Sequence, residues 1–229
     1  MNIIIAGATG DIGQAISKAL AVEHKLLLTY RDEKKKAHLT KELSKEKDIS
    51  FVSIEDLWQQ REVIEENFTV FKPDVFIDVI GDGFYAKVED VTLELLDGSY
   101  KTNFKIPFFL AQIAYKVFLT QKRGYLIFIN SISGLEGFPY GLAYCSMKFA
   151  LRGLAEVMYK EGKRYGIKVT SIFAGIVRTK LIKKMPFSPK KRCLLPPQTI
   201  ADTINYLLKL SPRASVKEIV LKNKELLWH

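Results

Sequence analysis

Cysteine is scarce in this chain: Cys145 and Cys193 are too few for a disulfide framework. A reduced compartment, the cytoplasm, is therefore expected, and an N-terminus that runs straight into a glycine loop without a basic leader agrees with it. Long apolar runs are also missing. The longest, Phe108 to Leu119, is broken by Gln112 and Lys116 and falls short of the ~20 residues that cross a bilayer, so no membrane partner is expected. Histidine is sparse as well. His24, His38 and His229 lie far apart with no cysteine or carboxylate at ligand spacing, which leaves a metal site without ligands and each histidine assigned to the surface. There is no internal repeat, no low-complexity tract and no Gly/Ser linker.

What is present fits one globular domain over 1–229: at about 150 residues per domain the length leaves no room for a second sizeable one. With 48% hydrophobic and 26% charged residues the chain can bury a core. The net charge of +10 raises nucleic acid, membrane surfaces and anionic substrates as partners, and its sign does not choose among them. The lysines at 34, 35, 36, 41, 45 and 47 are interspersed with Glu33, Glu42 and Glu46, which reads as a solvated helix face. No nucleic-acid module appears, and no nucleic-acid partner is expected.

Short β-rich runs alternate with helical patterns: Asn2 to Ala6, Lys25 to Tyr30, Ile49 to Ile54, Asp74 to Ile80, Tyr125 to Asn130, Ile167 to Phe173 and Glu218 to Leu221. Between the first two, Ile12, Ala15, Ile16, Ala19 and Leu20 recur at helical spacing, making a βαβ unit. Several runs are almost continuously apolar, as in parallel strands covered on both faces. The expected fold class is α/β, a single doubly wound, Rossmann-like domain of about seven parallel strands with helices on both faces. The proline- and lysine-rich stretch 180–198 breaks the alternation and reads as a mobile insertion.

Ala6-Gly7-Ala8-Thr9-Gly10-Asp11-Ile12-Gly13 follows the first strand and opens the first helix, where a dinucleotide pyrophosphate meets helix N-terminal amides. The glycine spacing departs from G-x-G-x-x-G and the loop has no P-loop lysine, so ATP hydrolysis is not expected. Asp11 would sit uneasily beside a pyrophosphate and is expected to point to solvent. At the tip of the second strand, Tyr30 and Arg31 stand where an acid would select NAD and an arginine accommodates the 2′-phosphate of NADP. NADP is favoured over NAD, although Asp32 lies one residue further on, and Arg31 as a merely solvated charge is the other reading.

Tyr144 and Lys148 stand four apart at the start of a helix whose apolar members include Met147, Leu151, Leu154 and Val157. Tyr30 with Lys34 and Tyr159 with Lys163 share that spacing, so spacing alone carries nothing. Context does: Ser131 ends the run Tyr125-Leu-Ile-Phe-Ile-Asn, at the strand tip where doubly wound sheets hold their ligands. A nearby ammonium favours a phenolate, so Lys148 is expected to draw Tyr144 toward acid-base behaviour near neutrality. Cys145 has no activating histidine and reads as a small helix residue.

From Asn2 through Thr179 these residues resemble the short-chain dehydrogenase/reductase family. Asn103, Ser131, Tyr144 and Lys148 match the family's Asn-Ser-Tyr-Lys tetrad, with Ser131 thirteen residues before Tyr144 and Ser133 the second choice for the serine. The resemblance implies that Tyr144 is the general acid for carbonyl reduction, that Ser131 polarises the substrate oxygen, that Lys148 holds the nicotinamide ribose, and that Asn103 supports a proton-relay water. It implies cofactor contacts from Gly7, Thr9, Gly10, Asp11, Ile12, Arg31, Ser53, Ile54, Gly81, Tyr144, Lys148, Gly175, Ile176 and Thr179. There are departures. Asp78-Val-Ile-Gly81 replaces Asn-Asn-Ala-Gly, Ser53 stands where an Asp commonly contacts adenine, and Ala174 replaces the proline of Pro-Gly-x-x-x-Thr. The segment carrying Lys183, Lys184, Lys190, Lys191 and Arg192 would be a lid, and its charge suggests an anionic substrate or the cofactor phosphates. The implied activity is an NADP-dependent oxidoreductase acting on a carbonyl or alcohol as a homodimer or homotetramer. The alternative is a dinucleotide-binding sensor of the same fold without turnover.

Overall fold

In the computed structural model, which describes residues 1–224, the alternating pattern becomes a single sheet of seven strands in the order β3-β2-β1-β4-β5-β6-β7. The strands are β1 (Asn2–Ala6), β2 (Lys25–Tyr30), β3 (Ile49–Ser53), β4 (Val75–Asp78), β5 (Gly124–Ser131), β6 (Ile167–Ala174) and β7 (Glu218–Leu221). Every neighbouring pair is parallel. Such strands need covered crossovers, and the helices that supply them are α1 (Asp11–Ala21), α2 (Glu33–Glu42), α3 (Arg61–Phe71), α4 (Leu93–Tyr100), α5 (Ile106–Gln121), α6 (Leu142–Gly162) and α7 (Pro197–Lys209).

The period-2 pleat divides the core into two layers. Ile4, Leu27, Phe76, Leu126 and Phe128 pack with Ile64 and Phe68 of α3, Leu110 and Phe118 of α5, and Leu151 of α6. Ile3, Ile5, Leu26, Leu28, Ile77 and Ile127 pack with Ile16 and Leu20 of α1, Leu39 of α2, and Ile200 and Ile204 of α7. Each continuous apolar strand thus serves both faces. Strand order reverses beside β1, whose neighbours are β2 and β4, and the crevice at the C-terminal ends of these strands is where a doubly wound sheet binds ligands.

The bounds of β3, β4, β5 and β6 differ from the sequence pattern by one or two residues. The fourth strand stops at Asp78, because the Asp78 carboxylate accepts a hydrogen bond from the Ile80 amide at 3.3 Å and turns the chain out of the sheet. The fifth extends to Ser131, which stays in register with Ala174. In α6 the buried face is Tyr144, Lys148, Leu151, Ala155 and Met158, whereas Val157 is exposed.

The stretch 180–198 is not featureless. Lys180–Lys184 and Lys191–Cys193 form short 3₁₀ turns, Pro197 already begins α7, and Leu195 bridges back to Val177. His24 is half-buried rather than on the surface, and burial lowers its pKa; His229 lies outside the described residues. Among the described residues, no helix is long and apolar enough to cross a membrane.

Candidate active site

The glycine loop makes the turn from β1 to α1. Gly7 has φ +86°, a left-handed conformation that favours glycine, and its amide donates to Thr29 Oγ1 at 3.0 Å. A Cβ on Gly13 would lie 2.3 Å from the Gly7 carbonyl oxygen, so only glycine lets α1 approach the loop this closely. Gly10 is the N-cap and contributes no side-chain acceptor, which leaves the first amides of α1 open to an outside anion. The Thr9 carbonyl accepts from Gln14 Nε2 at 2.9 Å, and Ile12 reaches the neighbouring cavity. Asp11 departs from expectation. Its Oδ2 accepts from the Lys180 amide at 2.6 Å, tying the loop to the segment after β6 instead of pointing freely to solvent.

At the tip of β2, Arg31 is exposed, while Asp32 is occupied as the N-cap of α2, accepting from the Lys35 amide at 3.0 Å. Tyr30 donates its hydroxyl to Glu33 at 2.7 Å. The Ser53 hydroxyl accepts from the Glu55 amide at 3.3 Å, and the Ile54 side chain is buried in the core. Gly7, Thr9, Gly10, Asp11, Arg31, Ser53 and Ile54 thus stand at the C-terminal ends of β1, β2 and β3 and are not among the residues lining the deeper cavity.

That cavity, of about 500 Å³, lies at the ends of β4, β5 and β6. It gathers Ile12, Gly81, Ser131, Tyr144, Lys148, Gly175, Ile176 and Thr179 from the sequence-derived set, together with Ser133. Ser131 and Tyr144 line the same wall of the cavity, and the serine hydroxyl lowers the pKa of the phenol. The Ser131 Oγ accepts from the Ser133 amide at 3.1 Å, so Ser131 meets the tyrosine and Ser133 helps to place it. Lys148 Nζ lies 5.9 Å from the centroid of the Tyr144 ring.

The electrostatics depart from expectation. Burial pushes the Tyr144 phenol up to about 12, against the lowering by Ser131, and the Cys145 and Asp82 side chains raise it further. Burial also brings Lys148 down to about 8, opposed by the charge of Asp78. Desolvation is the largest influence on the tyrosine, Lys148 is not among the groups that lower it, and Tyr144 holds its proton at neutral pH.

Asn103 is fully buried in a π-helical turn, Lys101–Lys105, between α4 and α5. Its Oδ1 accepts from the Asp82 amide and its Nδ2 donates to the Asp82 carbonyl, both at 3.0 Å, so it clamps the loop after β4 from outside the cavity.

Three other residues brace the site without having been singled out in the sequence. Asn130 accepts from the Ser131 amide at 2.8 Å and donates to the Lys148 carbonyl at 3.1 Å, locking the β5 tip to α6. Asn223 accepts from the Ile176 amide at 2.9 Å and donates to the Cys193 carbonyl, joining the β6 exit to the 180–198 segment. Tyr85 stacks at an angle on Tyr144, with ring centroids 5.6 Å apart. An asparagine ending an apolar strand is a readable sign for Asn130; Asn223 and Tyr85 carry none.

The family model for short chain dehydrogenases matches residues 1–188. The chain belongs to this family. Among curated relatives, an uncharacterised oxidoreductase of Staphylococcus aureus is 31% identical over 96% of this chain and 95% of its own. An uncharacterised oxidoreductase of Staphylococcus epidermidis is 25% identical over the same shares. Among solved structures, an alcohol dehydrogenase from Thermococcus sibiricus complexed with 5-hydroxy-NADP superposes with a TM-score of 0.81 at 23% identity, covering 97% of this chain and 96% of that one. The actinorhodin polyketide ketoreductase with NADPH gives 0.86 at 18%, covering 97% and 95%. These two share the short-chain dehydrogenase fold. Among the described residues, no three His, Cys, Asp or Glu side chains group to hold a metal.

Proposed function

We propose that the chain is an NADP(H)-dependent oxidoreductase that interconverts a carbonyl and an alcohol, with Tyr144 as general acid in reduction and general base in oxidation. The observation that carries this reading is the meeting of Ser131, Tyr144 and Lys148 at the wall of one cavity, with Lys148 Nζ 5.9 Å from the centroid of the Tyr144 ring. The protein suits the nucleotide: a glycine cradle too tight for a Cβ, open α1 amides and a free cationic tip at β2 lie along one rim. Two structures of this fold hold NADPH or an NADP derivative.

When bound, the nicotinamide nucleotide supplies or accepts the hydride. Gly7, Thr9, Gly10 and Ile12 hold its pyrophosphate side, Arg31 the 2′-phosphate, and Ser53 and Ile54 the adenine. Gly81, Gly175, Ile176 and Thr179 border the nicotinamide, and Lys148 hydrogen-bonds the ribose. Ser131 orients the substrate oxygen, and Tyr144, protonated at neutral pH, gives it a proton. Asn103 supports the relay that reprotonates the phenol. Asp11 acts through its hold on Lys180.

The substrate side is apolar, with Phe138, Tyr140, Leu181, Ile182, Met185 and Phe187 around the opening. Lys184 is paired with Asp82, and Lys183 is exposed away from the lining. This supports an uncharged, apolar carbonyl compound over an anionic one. Exposed Tyr100, Phe108, Phe149 and Val157 on α4, α5 and α6 support self-association as a dimer or tetramer, which sedimentation would detect. A cytoplasmic location goes with the same reading.

The test is an equilibrium titration with NADPH and NADH, followed by Tyr144→Phe assayed against a panel of apolar ketones. NADPH binds more tightly than NADH, and Tyr144→Phe lowers turnover about 10²- to 10⁴-fold while leaving nucleotide affinity within about twofold. Binding of neither nucleotide overturns the proposal. Binding without turnover on any carbonyl would instead favour the sensor.

A further inference from the structure

Asp78 is a carboxylate that the mechanism above leaves unused, and it is fully buried at the end of β4 between Ala6 of β1 and Phe128 of β5. Its Oδ1 accepts from the Ile80 amide at 3.3 Å, which holds the carboxylate at the turn that leads into Gly81. Its Oδ2 is buried with no hydrogen-bond partner among the described residues. An ionised carboxylate in that state is costly unless a cation answers it. The Gly81 turn carries that cation: a Cβ on Gly81 would sit 3.3 Å from Lys148 Nζ, and 3.3 Å from Asn103 Oδ1.

We propose that Asp78 is a positioning residue for Lys148, its buried carboxylate supplying the counter-charge that keeps the lysine protonated and held against the Gly81 turn. The other acid of this loop, Asp82, is engaged elsewhere. It accepts from the Gly83 amide at 2.8 Å and pairs with Lys184. From the packed elements, β1 and β5 present Ala6 and Phe128 to Asp78, and the charge that acts on it comes from Lys148 of α6. The relation is mutual: burial raises Asp78 to about 7 and lowers Lys148 to about 8, and each opposes the shift of the other. Loss of the carboxylate leaves the ammonium with burial alone, which favours the neutral amine.

The inference rests on the proposed role of Lys148 only for its bearing on catalysis, so it can be tested without turnover. The ¹³Cε resonance of Lys148, assigned by its loss in Lys148→Arg, is followed from about pH 5 to 11 in full-length wild type and in Asp78→Asn, with Asp78→Ser as the second variant should the first not fold. The titration midpoint of Lys148 falls by about one pH unit or more, a tenfold or greater loss of proton affinity. An unchanged or raised midpoint overturns the proposal. A purely structural brace would change thermal stability and leave the midpoint where it is. NADPH affinity across the same pH range then reads the functional consequence: Asp78→Asn binds about tenfold more weakly near pH 8, with a smaller difference near pH 6. If the wild type binds no nicotinamide nucleotide, the oxidoreductase reading fails while the lysine titration still decides the role of Asp78.

Discussion

Tyr144 and Lys148 show what a spacing can and cannot say about individual residues. Three tyrosine–lysine pairs stand four apart, yet the Tyr30 hydroxyl is taken by Glu33 and its ring is met by Lys36 at 4.6 Å, not by Lys34. Only Tyr144 turns inward beside a serine at a strand tip. Its place at the strand-tip cavity was therefore legible from the order of strand, serine and helix, whereas its protonation was not, since desolvation depends on what surrounds it. Arg31 is the reverse case. Its position was readable, and the structure adds that Asp32 is turned into the start of α2 and leaves the tip cationic. A charge-assisted hydrogen bond is worth roughly 1.5–3 kcal/mol, so Arg31→Ala should weaken NADPH about 10- to 100-fold and leave NADH nearly unchanged, as paired titrations would show. Equal loss for both nucleotides would remove Arg31 from the 2′-phosphate.

Among elements, β1, β2 and β7 were legible to the residue because their apolar runs end where turn chemistry begins. The end of β4 was not, since Asp78 closes it by a side-chain bond to its own turn. The π-helical turn at Lys101–Lys105 left no periodicity to read either, being a single widened turn between two helices. The 180–198 segment, the expected lid, is the element that sequence reasoning described least well. Its proline and lysine content suggested a mobile insertion, while the structure fastens it at Asp11, at Asp82 and at Asn223. The pair between Lys184 and Asp82 is partly exposed, so its loss costs little global stability and acts locally. Asp82→Ala should therefore raise tryptic cleavage at Lys183 and Lys184 several-fold, while thermal unfolding moves by no more than a few degrees. Unchanged cleavage would show that Asp11 and Asn223 hold the lid without it.

For the whole molecule, the buried Asp78 and Lys148 make stability depend on pH. Asp78 binds its proton more tightly folded than unfolded, so its cost to the fold grows as pH rises from about 4 to about 7 and stays in full above that. Lys148 releases its proton more readily when folded, so its cost is complete below about 8 and is relieved as pH rises from there toward 10.5. The melting temperature of Asp78→Asn relative to wild type should accordingly rise between pH 4 and pH 7, a difference that calorimetry at matched ionic strength measures. A difference that stays flat across that range would mean that Asp78 titrates as an ordinary carboxyl.

At this scale the sequence by itself determined the parallel α/β sheet, the glycine turn and the family. Continuous apolar strands, helical spacing between them and a motif tied to one βα junction are all local along the chain. Only the tertiary structure decided which face of α6 looks inward, that the segment after β6 is fastened by Asp11 of α1 and by Asp82, and that a carboxylate on β4 is buried without a partner for one of its oxygens among the described residues. Those contacts join residues up to 169 positions apart, and their charges answer to burial, which no window of sequence contains.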